Sequence, residues 1–130
     1  MFNIALKTAV RFDTTDNVEV AASATVEALE QLSVQIPDGA ADLQVAGTPG
    51  ANADLSFVMI RATAYDAKLT YKLGKKTNPA IVLDGPLVMM GSGAIAVLAG
   101  GGGDMKSLFF SNATGADISV DVVVGRDATP

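Results

Sequence analysis

The chain reads as an all-β protein: one antiparallel β-sandwich or barrel of about nine or ten short strands, with at most one short helix. Three observations in its 130 residues carry that reading. Apolar residues recur at every second position in several separate runs, as strands with one buried face require. Clusters of Gly, Pro, Asn and Asp interrupt those runs at roughly 8–12-residue spacing, the rhythm of strands joined by turns. No helical pattern of about 10–15 residues lies between the runs, which argues against βαβ units.

Taken in order, residues 2–12 place Phe2, Ile4, Leu6, Val10 and Phe12 on one side, with Asn3, Lys7 and Arg11 on the other. That predicts a strand with one buried face. Residues 13–17 break it as a polar turn, and Val18-Glu19-Val20 is a short second run. Residues 23–31 are rich in Ala, Glu, Leu and Gln, with Ser23 or Thr25 available as a cap, and predict a short helix or turn. Leu32, Val34 and Ile36 alternate up to the turn at Pro37-Asp38-Gly39, and Leu43 and Val45 form a short run before a loop over 47–52.

Residues 55–64 are apolar on both sides, with Phe57 and Met59 opposite Val58 and Ile60, as in an interior strand or one covered by a partner. Leu69, Tyr71 and Leu73 oppose Lys68, Thr70 and Lys72 in a half-buried strand. Short apolar runs at 81–83, 87–90 and 94–99 are split by Asp84-Gly85-Pro86 and Gly91-Ser92-Gly93, and four glycines follow at 100–103. Two β-rich runs over 107–125 flank an Asn112-to-Asp117 turn, with Ile118, Val120, Val122 and Val124 alternating in the second. They predict an antiparallel hairpin at the centre of the core, its valines covered by residues 2–12 and 69–73. Residues 126–130 read as a frayed tail, so the whole of 1–130 is one domain.

Composition narrows the function. A net charge of −5 opposes the basic stripe that phosphate binding needs, so no nucleic-acid partner is expected. There is no Cys and no His, which removes thiolate nucleophiles, disulfides and the usual general base. The opening residues lack a basic segment followed by a long apolar one, so synthesis and folding in the cytoplasm are expected. Residues 85–103 carry no charge, yet Pro86 and seven glycines spoil a membrane-spanning helix, and no membrane partner is expected.

The candidate motifs have simpler explanations. Gly91-Ser92-Gly93 through Ala96 matches a dinucleotide fingerprint, but the helix it needs would meet four glycines within two turns. Ser92 lacks the first glycine of a nucleophile elbow. Lys68, Lys72, Lys75 and Lys76 read as a solvated strand face rather than a binding patch. Asp13, Asp16 and Glu19 lack the spacing and glycine of a calcium loop, and Asn112-Ala113-Thr114, although a glycosylation acceptor, reads as turn chemistry. No catalytic set, cofactor or metal is expected.

The closing segment, Leu108-Phe109-Phe110-Ser111-Asn112 followed by Gly115-Ala116-Asp117-Ile118-Ser119-Val120, resembles the strand-Asn-turn-strand ending of small bacteriophage virion proteins. Leu73-Gly74, Leu83-Asp84-Gly85-Pro86 and the short Gly-rich runs are similar in style to phage head and tail accessory proteins. The resemblance covers roughly the last half of the chain and includes no catalytic motif. It implies a sandwich of jelly-roll type that assembles as a homo-oligomer with other virion proteins, most simply as a capsid decoration or minor head protein. The two-sided apolar strands then supply the candidate subunit contacts, Phe57, Met59, Met89, Met90 and Leu98. The alternative is a carbohydrate- or host-surface-binding module of a tail or fibre, for which Tyr65 and Tyr71 are the available aromatics.

Overall fold

The computed structural model describes residues 2–12, 16–46, 55–98 and 105–127. Ten strands and one helix follow in order: β1 (Phe2–Phe12), β2 (Asp16–Val26), β3 (Ala28–Ile36), β4 (Leu43–Ala46), β5 (Leu55–Ala62), β6 (Leu69–Leu73), β7 (Ile81–Val82), β8 (Leu87–Met90), α1 (Ser92–Leu98), β9 (Ser107–Asn112) and β10 (Ile118–Arg126). Two four-stranded sheets, ordered β3-β10-β5-β8 and β4-β9-β6-β7, make the body, and β1 and β2 form a separate two-stranded sheet. Every pairing among the described residues is antiparallel.

The connectivity is that of a jelly roll. Strands β3 and β10, β4 and β9, β5 and β8, and β6 and β7 pair as successive rungs of one long hairpin. Folding that hairpin over itself brings β10 beside β5 and β9 beside β6, which closes eight strands into two sheets. Both sheets contribute to a single core: Ile36, Val58, Ile60, Ile118, Val120, Val122 and Val124 from one, Leu69, Tyr71, Leu73, Leu108 and Phe110 from the other. Tyr71 and Phe110, direct neighbours on β6 and β9, bring their rings to 6.1 Å between centroids.

The connections 37–42, 63–68, 83–86 and 113–117 meet at one end and are laced together. Asn112 N donates to Ala40 O at 2.9 Å, Ala113 N to Lys68 O at 3.1 Å and Asp66 N to Leu83 O at 3.4 Å. The opposite end holds α1 and the point where β2 leads into β3.

Four expectations from the sequence are corrected. Residues 107–125 are not a hairpin: β9 lies between β4 and β6, while β10 lies between β3 and β5 in the facing sheet. The 113–117 connection crosses between sheets, so its turn chemistry marks a corner rather than a pairing. Residues 23–31 are not helical, because pairing of β2 with β1 and of β3 with β10 overrides a modest helix propensity. The helix lies instead at 92–98, where Gly91 adopts φ 95° to turn the chain out of β8 and Ile95 buries itself in the core. Finally, residues 2–12 form the expected strand but cover no core valine. β10 is flanked by β3 and β5, and its inward side chains share one core cluster with Leu69, Tyr71 and Leu73 and with Leu108 and Phe110 of the facing sheet.

Candidate interaction surface

Alternation along the β3-β10-β5-β8 sheet sends one set of side chains inward and the next outward. On β10 the inward set is Ile118, Val120, Val122 and Val124, so Val123 and Gly125 face out. Cross-strand register extends that outward face into rows. One row runs Gln31, Val123, Met59, Val88, and the next Leu29, Gly125, Phe57, Met90. This outer face is therefore apolar across most of its width. Leu29 is 43% and Val88 39% exposed, while Phe57 is buried although it is on the outer side.

Above these rows the face turns polar. Ser33 Oγ donates to Asp121 Oδ1 at 2.7 Å, and Arg61 Nε to Asp121 Oδ2 at 2.9 Å. The Ser33 hydroxyl first, and then the Arg61 guanidinium, hold the Asp121 carboxyl below its usual range.

β1 and β2 form an arm. Each is eleven residues long, and among the described strands β1 pairs only with β2. Their register, Phe2 opposite Val26 through Val10 opposite Val18, collects the apolar residues of both strands on one face. The base of that face is seated on the body at Gly125. A Cβ there would sit 2.9 Å from Ile4 Cδ1 and 3.1 and 3.2 Å from the Val26 methyls, so the missing side chain makes the socket. Val26 is fully buried. Farther along the arm the same face is uncovered: Val10, Phe12, Val18 and Val20, with Phe2 at the edge of the base, are 45% to 55% exposed.

The structure thus brings Phe57, Met59 and Met90 together on one outer face. Met89 pairs with Val58 on the opposite side of the same strands and packs against the core. Leu98 ends α1, and its side chain lies outside the described residues. The arm is absent from the sequence-derived contacts. Its signal was present as two period-two runs of matching phase around a short polar break.

The remaining candidates separate. Tyr71 is buried, and burial pushes its hydroxyl up to about 12, which removes it as a sugar platform. Tyr65 stays exposed at the laced end, its hydroxyl accepting from Ala62 N at 3.3 Å. Lys72 Nζ is 3.0 Å from Asp42 Oδ1, so the lysine group is divided. Among the described residues no three His, Cys, Asp or Glu side chains gather as metal ligands. Asp13 and the Asp16 side chain lie outside the described residues. No helix among the described residues is long and apolar enough to cross a membrane. Ser92 opens α1, whose seven residues fall short of a dinucleotide-binding helix. Asn112 is buried with its amide fully engaged, in keeping with turn chemistry.

The chain matches no protein-family model, no curated protein and no solved structure.

Proposed function

We propose that the chain is a non-enzymatic structural protein of a bacteriophage virion, a capsid decoration or minor head protein that assembles as a homo-oligomer. The observation that carries this reading is a jelly-roll body whose outer sheet face and projecting arm both present apolar side chains to solvent. Contiguous apolar surface of that extent marks a protein that works by being covered. The phage-like ending falls on the laced corner formed by Asn112, Thr114 and Asp117, where it shapes the scaffold. The carrier of function is then surface rather than a cleft, and no cofactor is required.

The test is association. The purified chain is mixed with capsids that lack their accessory proteins, and sedimentation reads the fraction bound at saturation. Stoichiometric, saturable binding is expected. A chain that remains in the supernatant at every concentration rejects the virion assignment. The carbohydrate-binding alternative now rests on Tyr65 alone, and glycan binding lost in Tyr65→Ala would favour it.

A further inference from the structure

We propose that the arm of one copy lies with its apolar face on the outer face of the β3-β10-β5-β8 sheet of a second copy, the two arms being exchanged about a two-fold axis. This rests on the homo-oligomer part of the function proposed above and is independent of the virion assignment.

The arm needs cover. A two-stranded ribbon is marginal in water, and here the base is seated on the body at Gly125 while Val10, Phe12, Val18 and Val20 stay 45% to 55% exposed. Taking on the order of 150–200 Å² for each large side chain, the five exposed residues of the arm present roughly 400 Å² of apolar surface. The outer sheet face is the matching surface within the same chain. It already receives the arm's base, because Ile4 and Val26 sit over Gly125. The rows that continue from Gly125 through Leu29, Met59, Val88 and Met90 have the same chemistry as that socket, and Leu29 and Val88 alone present roughly 150 Å² more by the same measure.

Area selects the occupant. A standard interface buries about 800 Å² per partner, of which about 60%, near 480 Å², is apolar. Sheet against sheet uses only the second patch and falls short, while arm against arm reaches only the small end of the range, about 360 Å² of apolar surface, and leaves the sheet rows of both copies uncovered. Arm on sheet, made reciprocally, covers both patches on both copies and passes the requirement. It is also isologous, so it closes at two chains and leaves no apolar face to propagate.

The chain has no cysteine, so single cysteines report proximity cleanly. Val18→Cys and an affinity-tagged Val88→Cys are mixed and oxidised, and a disulfide joining the two different chains is expected. Separately, sedimentation equilibrium of the unaltered chain should give the mass of two chains. Phe12→Ser combined with Val20→Ser should give one chain that melts lower than the dimer but keeps the amide protection of β6 and β9, and so should Val88→Asp. A monomeric unaltered chain overturns the proposal, as does a dimer that survives both sets of substitutions. Cross-links formed only between two Val18→Cys chains also overturn it. The virion assignment is judged apart from this, by capsid binding: a dimer that ignores capsids upholds the exchange, and a monomer that binds them rejects it.

Discussion

The side-chain amide of Asn112 donates to the carbonyl of Ile36 across 3.0 Å, tying the last residue of β9 to the last residue of β3 in the opposite sheet. The same Nδ2 donates to Ala116 O at 2.8 Å, while Oδ1 accepts from Thr114 N at 3.0 Å and from Thr114 Oγ1 at 2.7 Å. One buried amide therefore holds the sheet-crossing connection and closes one end of the sandwich. Asn112→Ala would leave the buried Ile36 carbonyl without its amide donor and the half-buried Thr114 N–H without its acceptor, while Ala116 O keeps Thr114 Oγ1. We expect it to cost about 1–3 kcal/mol in urea unfolding, the range for one buried unpaired group. Asn112→Asp should cost at least as much, because a carboxylate cannot donate to Ile36 O. An unchanged midpoint for either variant would remove Asn112 from this role.

Gly125 sets the seat of the arm. A valine there must displace Ile4 and the buried Val26, so Gly125→Val should lower stability by about 1–3 kcal/mol, the usual range for overpacking. The change should be local. Hydrogen exchange should speed up in β1 and β2 while amides of β6 and β9 keep their protection. Uniform loosening of all strands would place the damage in the core instead.

Val122 is 3% exposed in the inward set of β10, between β3 and β5. A carboxylate at that position has no cation within the core to pair with among the described residues, so Val122→Asp should prevent soluble folding. Val122→Ala keeps the chain foldable and should cost about 2 kcal/mol in denaturant titration. A Val122→Asp protein that melts at the unaltered temperature would mean β10 is peripheral.

Tyr71 links alkaline stability to the core. Its hydroxyl is held up at about 12 by burial, while in the unfolded chain a tyrosine loses its proton near 10. The folded state therefore keeps a proton that the unfolded state gives up. This contribution is complete below about pH 10 and is lost as pH rises from there toward 12. The chain has two tyrosines, so Tyr65→Phe leaves Tyr71 alone to report by ultraviolet absorbance. Ionisation near 12, or together with unfolding, is expected; ionisation near 10 in an intact fold would contradict the burial.

What the sequence determined by itself is the part of this protein that is local. The alternation of Leu69, Tyr71 and Leu73, and of Ile118 through Val124, is set by the two-residue repeat of a strand. These positions are buried in the structure, and the residues between them are not. The two-sided character of residues 55–60 fits a strand that lies between β10 and β8, but the contact set drawn from it and from the 87–98 runs, Phe57, Met59, Met89, Met90 and Leu98, mixed the two faces, since Met89 packs against the core. Pairing partners are different, because a strand's alternation is the same whichever strand it meets. That is why β9 and β10 looked like a hairpin when the 113–117 connection crosses from one sheet to the other. Only the tertiary structure decided the fate of residues 2–12. Their pattern requires an apolar face, but whether the chain covers that face depends on where β2 leaves the body, and it leaves just beyond the socket at Gly125.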